Sequence, residues 1–134
     1  MNLEIKKLGR VDYEEALEIQ TRLWQEVSSG EGRDVLLLVE HPPVITLGVR
    51  GTQGHILLPE EERMRLGVST VQVGRGGDVT YHGPGQIVGY PIMNLNRWGR
   101  DIHDFVRKIE NTFITLLKDD FGIHAERGDK TYTG

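Results

Sequence analysis

A glycine-rich segment in the middle of the chain, Gly74–Gln86, constrains the fold more than any other feature of the sequence. Five of the seventeen glycines lie within these thirteen residues. Glycine permits positive φ angles and close approach of the backbone to a ligand, and it loses more conformational entropy on folding than other residues. Charged, hydroxyl and aromatic side chains are interleaved with these glycines. This composition predicts one wall of a binding site rather than a spacer or a hairpin with a solvated polar face.

The segment matches neither of the two common phosphate-binding loops. A Walker A loop requires Gly-Lys-Ser/Thr, which the segment lacks. A dinucleotide-binding fingerprint requires a third glycine where Val79 stands. The residues that follow are rich in β-formers, so the sequence predicts no helix N-terminus to receive a phosphate.

An extended conformation over residues 78–82 has a direct consequence for this site. It places Asp78, Thr80 and His82 on one face of the strand and Val79 and Tyr81 on the other. Residues four apart in a strand are separated by about 13 Å, so Asp78 is not expected to orient His82. The pattern predicts a polar row facing a site and an apolar row facing a core or an acyl chain.

The size and charge of the chain exclude several classes of protein. With 134 residues, the chain is expected to form a single domain, residues 1–134. A net charge of -4 argues against a nucleic-acid-binding protein. No apolar run is long enough to span a bilayer, and no secretory signal is visible at Met1. The sequence contains no cysteine, which excludes disulfides and thiolate metal sites within it. We expect a cytoplasmic protein with no metal, no cofactor and no nucleic-acid or membrane partner.

Hydrophobic periodicity predicts a mixture of strands and helices. The predicted strands are Leu3–Lys7 (at a sheet edge), Val35–Val39 (buried on both faces), Val44–Val49, Val68–Val73, Ile87–Leu95 and Ile123–Glu126. The fold class that follows is α+β, in which helices pack on a mixed sheet.

Three helices are predicted from their end signals and apolar stripes. The first begins at Asp12, with Glu15 as its capping-box partner, and stops at Gly30. The second is a short helix after Pro59. The third runs from Asp101 to a stop at Gly122. The first helix is expected to bury one stripe, made of Tyr13, Ala16, Leu17, Gln20, Trp24 and Val27.

The remaining histidines carry weaker signals than the glycine-rich segment. His41 precedes two prolines and is interpreted as a strand-end residue rather than a ligand. His55, His103 and His124 are interpreted as isolated surface residues, because they lack the spacing of a metal site.

Four motifs, in this order along the chain, resemble the lipoyl (octanoyl) transferase family. They are Glu40–Gly48, Arg75–Gln86, Pro91–Leu95 and Arg127–Gly134. The second motif, Arg-Gly-Gly-Asp-Val-Thr-Tyr-His-Gly-Pro-Gly-Gln, is the most specific of the four. The resemblance covers essentially the whole chain.

The resemblance implies a function and a fold. Members of this family transfer an octanoyl group from octanoyl-acyl carrier protein to a lysine of lipoyl domains, in 2-oxoacid dehydrogenases and in the glycine cleavage H protein. The transfer proceeds through a thioester on an enzyme cysteine whose thiol a nearby lysine activates. The implied fold is that of the biotin and lipoate protein ligases, which are class II synthetase-like. The implied acyl-substrate-binding residues are Arg75, Gly76, Gly77, Asp78, Val79, Thr80, Tyr81 and His82.

The chain departs from the family pattern in one respect. It contains no cysteine, and Lys130 lies upstream of the position of the family's reactive lysine. We therefore expect the N-terminal portion of a transferase catalytic domain, which holds part of the pocket, lacks the nucleophile and is inactive alone.

Two alternatives stay open at this point. One is an ATP-dependent lipoate or biotin protein ligase of the same superfamily, which usually carries another glycine where Asp78 stands. The other is a non-catalytic module that binds an acyl carrier protein. Substitution of Gly76 or Gly77 by valine is expected to damage acyl binding.

Overall fold

The computed structural model describes residues 3–128, which form two compact units. The first unit is Met1–Met93 and the second is Asn94–Gly134, and each is described by itself. The single-domain assignment stays a prediction. Lys130 and the end of the fourth motif lie outside the described residues.

Within residues 3–128, strands and helices follow one another in a mixed α+β order. The elements are β1 (Leu3–Arg10), α1 (Tyr13–Ser28), β2 (Asp34–Glu40), β3 (Val44–Leu47), α2 (Glu60–Arg65), β4 (Ser69–Gln72), β5 (Val79–His82), β6 (Ile87–Ile92) and α3 (Ile102–Phe121). Short 3₁₀ turns cover Gln53–His55 and Leu95–Arg97. Residues 123–126 form no strand, so that prediction is wrong.

The first sheet has the order β1-β2-β6 and is mixed, as predicted. Strand β2 pairs parallel with β1 and antiparallel with β6. Its alternate residues Val35, Leu37 and Val39 are buried, at 2%, 0% and 2% exposure. Leu36 and Leu38, on the opposite face, are only partly buried. The predicted burial on both faces of β2 is therefore complete on one face alone.

Helix α1 packs on this sheet, but through a different stripe from the predicted one. Its buried residues are Ala16, Leu23 and Val27, which are spaced at seven and four residues. Leu23 and Val27 join Val35, Leu37 and Ile92 in the core. Leu17 and Trp24 are exposed, so their assignment to the buried stripe is wrong. Trp24 lies about 100° around the helix from Leu23, because an α-helix has about 3.6 residues per turn.

The second sheet has the order β4-β3-β5. Its central strand β3 is buried at all four residues, runs parallel to β4 and runs antiparallel to β5. The mixed character of the fold is confirmed, although in the described residues the strands are divided between two sheets of three. Because β4 and β5 flank β3, the chain between them must cross the end of β3. This crossing, residues 73–78, contains the first part of the glycine-rich segment.

The ends of α3, in the second unit, are those that the sequence predicts. The Asp101 carboxylate accepts hydrogen bonds from the backbone N–H groups of His103 and Asp104, at 2.9 and 3.0 Å. Gly122 ends the helix with φ +65°. Asp12 stands at the equivalent position before α1, but its side chain makes no capping hydrogen bond, so the predicted capping box does not form.

These two aspartates form a matched pair for a test of helix capping. The backbone hydrogen bonds, that of Asp104 first, lower the pKa of Asp101 from its ordinary value of 3.8. A lowered pKa means that the stabilisation is fully present above that ordinary value and is lost as the pH falls through the lowered one. We expect Asp101→Ala to lower the melting temperature at pH 7 more than Asp12→Ala does, and the difference to shrink at pH 2.5. Thermal unfolding followed by circular dichroism measures this, and equal losses at pH 7 would refute the cap.

Among the described residues, the structure contains no helix that combines the length and the apolar character needed to cross a bilayer.

Candidate functional site

The main chain holds the glycine-rich segment against the turn that follows β3. Three backbone hydrogen bonds join the two: Gly48 N–H to Asp78 O (2.7 Å), Val49 N–H to Arg75 O (3.0 Å) and Arg50 N–H to Gly77 O (3.1 Å). These hydrogen bonds fix the segment to the second sheet, so it is not a free loop. We call residues 74–78 the arginine loop.

Close packing at Gly48 is a condition of this arrangement. A Cβ atom at Gly48 would stand 2.5 Å from the carbonyl oxygen of Gly77 and 3.0 Å from Nη1 of Arg75. Gly77 itself has φ +85°. At Gly76, by contrast, a Cβ atom would meet nothing within 4 Å. The loop thus has one glycine that the conformation requires, Gly77, and two that border open space, Gly74 and Gly76.

The Arg75 side chain fastens the arginine loop to the sheet. Its Nη2 donates to the hydroxyl groups of Thr46 and Thr80, both at 2.8 Å, and to the carbonyl oxygens of Thr46 and Asp78, at 3.1 and 3.2 Å. Its Nη1 donates to Gly76 O at 2.8 Å. All these acceptors are neutral, and within residues 3–128 Arg75 forms no ion pair. Arg75 therefore contributes both a clamp and an uncompensated positive charge.

Four aromatic rings from separate parts of the chain pack together, and one of them, Tyr13, interacts with the Arg75 charge. The group, which we call the ring cluster, consists of Tyr13, His41, His82 and Tyr90. Tyr13 stands 5.3 Å from His41 and stacks on His82 at 6.4 Å, measured between ring centroids. His41 lies 5.8 Å from His82 and 5.9 Å from Tyr90.

His41 is the fixed centre of the ring cluster. It is fully buried, its Nδ1 lies 2.7 Å from Val11 O and its Nε2 lies 2.8 Å from the Tyr90 hydroxyl. A carbonyl oxygen can only accept, so Nδ1 carries the hydrogen, and in this tautomer Nε2 accepts from the Tyr90 hydroxyl. The interpretation of His41 as a strand-end residue is right about its position after β2 and misses its role in the cluster.

A hydrogen bond to the Gln86 side chain holds the His82 ring in place. Its Nδ1 lies 2.6 Å from Gln86 Oε1, an acceptor, so Nδ1 donates and Nε2 is left as an acceptor. Asp78 does not contact His82 and instead lies 2.8 Å from Nδ1 of His55. The prediction that Asp78 cannot orient His82 is confirmed, whereas the interpretation of His55 as an isolated residue is wrong.

Both tyrosines of the ring cluster are held in the neutral form. Burial raises the pKa of Tyr13, and the nearby Arg75 charge lowers it by a smaller amount. Burial also raises the pKa of Tyr90, and ionised Tyr13 would raise it further. Because the Tyr90 hydroxyl already donates to His41, the cluster offers the neutral hydroxyl group of Tyr13 and Nε2 of His82. Such a set can donate hydrogen bonds to a carbonyl oxygen and accept a proton.

The structure brings together only part of the predicted binding segment. Arg75 and Thr80 contact each other directly, and His82 joins the ring cluster through Tyr13. Tyr81, on the opposite face of β5, is 53% exposed. Sequence reasoning missed Tyr13, His41 and Tyr90 as site residues. Two of the three had a signal in the sequence: His41 lies in the motif Glu40–Gly48, and Tyr90 lies on the predicted strand that became β6.

Tyr90 permits a pH-dependent test of the ring cluster. Removal of its hydroxyl in Tyr90→Phe leaves Nε2 of buried His41 without a partner, which should cost about 1–3 kcal/mol at pH 7. Because the pKa of Tyr90 is raised in the folded protein, the unfolded chain releases the Tyr90 hydroxyl proton from about pH 10 while the folded protein retains it. Wild-type stability should therefore fall above pH 10, and its advantage over Tyr90→Phe should shrink. Urea unfolding at pH 7 and pH 11 measures this.

Tyr81→Phe is the control for that experiment, since the Tyr81 hydroxyl makes no hydrogen bond and the ring is exposed. A Tyr90→Phe variant as stable as Tyr81→Phe at pH 7 would contradict the cluster.

Within residues 3–128, histidines, aspartates and glutamates form no group of three or more that could hold a metal ion.

Comparison with known proteins defines the family. Residues 12–132 match the family described as the lipoyl protein ligase A/B catalytic domain, and the chain belongs to that family. The match includes the arginine loop and every member of the ring cluster.

Individual relatives within this family that resemble the chain are octanoyltransferases. The chain is 52% identical over 134 residues to an octanoyltransferase of Caldicellulosiruptor saccharolyticus and 49% identical over 130 residues to an octanoyltransferase of Desulforamulus reducens. These alignments cover 100% and 97% of the chain and 57% of each relative. The family resemblance predicted from the four motifs is confirmed. The chain spans a little over half the length of these relatives.

A solved structure supports the fold. The chain superposes on LipL1 of P. falciparum, crystallised in complex with lipoate, with a TM-score of 0.67 and 15% sequence identity. The match covers 95% of the chain and 39% of the LipL1 chain. At this identity the likeness concerns the fold alone, and the predicted ligase-like α+β fold is confirmed.

Proposed function

We propose that this chain is part of an octanoyltransferase, which moves an octanoyl group from octanoyl-acyl carrier protein to a lysine of a lipoyl domain. The observation that carries the proposal is the identity of about half the residues to octanoyltransferases over the whole chain. The acceptors would be the lipoyl domains of 2-oxoacid dehydrogenases and the glycine cleavage H protein. The reaction would take place in the cytoplasm.

In the proposed chemistry, a cysteine thiolate attacks the octanoyl thioester, the carrier thiol leaves, and an acyl-enzyme thioester remains. The lysine amine of the lipoyl domain then attacks that thioester, loses a proton and releases the cysteine. Residues 1–134 contain no cysteine. We assign the thiol to the part of the relatives' length that this chain does not span, and we expect the 134 residues alone to be inactive.

The described residues would supply the wall of the acyl site. The segment Arg75–His82 would line it, with the open space beside Gly76 left for the acyl chain. The Arg75 charge and the neutral hydroxyl group of Tyr13 would face the polar end of the substrate, while the Tyr90 hydroxyl donates to His41. Hydrogen bonds from such preorganised donors stabilise the oxygen charge that develops during acyl transfer.

The experiment combines the full-length protein with octanoyl-acyl carrier protein in the absence of ATP. We expect one octanoyl adduct per protein by intact mass spectrometry, followed by transfer to a lipoyl domain. The 134-residue chain, tested in parallel, should form no adduct. Adenylate formation from free lipoate, with no ATP-independent transfer, would support the ligase alternative instead. Binding of the carrier protein with no transfer under either condition would support the non-catalytic module.

His82 permits a test of the site within this function. His82→Ala removes an imidazole that stacks on Tyr13, and proton transfer by a positioned histidine typically contributes about 100-fold or more. We expect the kcat/KM for octanoyl transfer to fall by at least about tenfold. His103→Ala, an exposed histidine on α3, is the matched control and should leave the rate unchanged. Equal effects of the two substitutions would remove His82 from the site.

A further inference from the structure

A separate groove lies within the Met1–Met93 unit and shares no lining residue with the arginine loop or the ring cluster. Its volume is about 760 Å³. Helix α2, the chain before it and strand β4 form the walls. The lining includes Ile56, Leu58, Glu60, Arg63, Met64 and Val68.

Arg63 gives this groove a buried positive charge. Its side chain is only 8% exposed. Nη1 donates to Leu58 O at 2.8 Å and Nη2 to Gln53 Oε1 at 3.3 Å, and both acceptors are neutral. A guanidinium has five N–H donors, so these two contacts leave others unused. Among the residues that the structure describes, no carboxylate lies within ion-pair distance of Arg63.

An unpaired buried cation is uncommon because its desolvation is costly, and buried arginines are usually paired. An anion that enters the groove would supply the missing partner in a setting of low dielectric constant, where hydrogen bonds to charged groups are strong. Apolar side chains of Ile56, Leu58 and Val68 line the same groove. The groove therefore suits a ligand with both a charged and an apolar part.

Glu60 limits the charge that this ligand can carry. It is an acidic residue in the lining, and it forms no ion pair with Arg63. One cation and one carboxylate together favour a singly charged anion over a doubly charged one, because the second charge would be repelled by Glu60. A carboxylate is singly charged at pH 7, whereas a phosphate monoester carries nearly two charges.

We propose that this groove is a binding site for a small carboxylate with a short apolar chain, held by Arg63. It is a second site, and its test does not depend on the octanoyl transfer proposed above.

The test uses the intact protein with isotope-labelled methyl groups and hexanoate as the probe. Titration should shift the methyl signals of Ile56, Leu58, Met64 and Val68 in a saturable manner. Neutral 1-hexanol should bind at least roughly tenfold more weakly, a difference that corresponds to loss of the charge contact. Hexyl phosphate should also bind more weakly than hexanoate. No shift in the groove, or equal binding of hexanol, would overturn the proposal, and tighter binding of hexyl phosphate would overturn its assignment to a carboxylate.

Variants separate binding from a merely structural role of Arg63, which also holds Leu58 and Gln53. Arg63→Met should weaken hexanoate binding at least about tenfold, whereas Arg63→Lys retains an ammonium donor and should lose less than Arg63→Met. Arg65→Met is the matched control, since Arg65 is exposed on the same helix and pairs with Glu62. Unchanged binding in Arg63→Met, or equal loss in Arg63→Met and Arg63→Lys, would refute the role of the charge.

Discussion

Replacement of Arg75 by methionine is expected to lower the free energy of unfolding by about 3 kcal/mol, because hydrogen bonds from a charged group are worth about 1.5–3 kcal/mol each and are not additive. The substitution removes the donors that reach the hydroxyl groups of Thr46 and Thr80, of which Thr46 is fully buried. Urea denaturation measures the change. Arg75→Lys should recover only a minor part of the loss, since an ammonium cannot reproduce the planar, divergent donors of the guanidinium.

Arg50→Met is the control for Arg75. Arg50 lies in the facing turn, is exposed, and its side chain makes no hydrogen bond or ion pair. Its replacement should change the free energy of unfolding by no more than about 0.5 kcal/mol, as is usual for surface sites. If Arg75→Met were as mild as Arg50→Met, the arginine would not be the clamp of the loop.

Gly48→Ala is expected to have the second-largest effect, at about 2–3 kcal/mol, a typical cost of overpacking. The new Cβ atom would stand 2.5 Å from Gly77 O, and three main-chain hydrogen bonds prevent the loops from separating cheaply. Thermal unfolding and urea denaturation both measure the loss. Because the arginine loop would shift, octanoyl binding should weaken together with stability.

Gly76 is the matched control for Gly48. Gly76→Ala places its Cβ atom in open space, so stability should stay unchanged. Gly76→Val should then weaken octanoyl binding without unfolding the protein, if the acyl chain occupies that space. The sequence predicted damage at both Gly76 and Gly77, and the structure separates the causes: Gly77 has φ +85°, which a valine rarely adopts. Equal stability losses in Gly48→Ala and Gly76→Ala would contradict the packing described here.

The sequence predicted those parts of the fold that depend on local interactions. Asp101 and Gly122 bound α3 correctly because a cap needs only neighbouring backbone groups. Strand β2 was found because an uninterrupted apolar run between polar residues has few alternatives. Trp24 was misassigned because two adjacent residues of α1 fit helical periodicity almost equally well, and contact with the sheet selects Leu23. The division of the strands between two sheets depends on long-range pairing, which periodicity does not encode.

The candidate site shows the same difference between features that depend on local sequence and features that depend on tertiary structure. The segment Arg75–His82 could be found because its composition is unusual within a short stretch of chain. The ring cluster could not, because Tyr13, His41 and Tyr90 come from three separate parts of the chain that only the tertiary structure brings together. Asp78 illustrates the difference between local and long-range prediction. Its separation from His82 follows from strand geometry, whereas its contact with His55 spans 23 residues of sequence and could not be predicted locally.

Photo-crosslinking tests the acyl site most directly. An octanoyl thioester analogue with a diazirine at the end of its chain would be irradiated with the full-length protein, and the labelled residues mapped by tandem mass spectrometry. We predict labels within Gly74–Gln86 or on Tyr13 and Tyr90, with competition by octanoyl-acyl carrier protein. Labels confined to the Arg63 groove, or found only outside the ring cluster and the glycine-rich segment, would contradict the assignment.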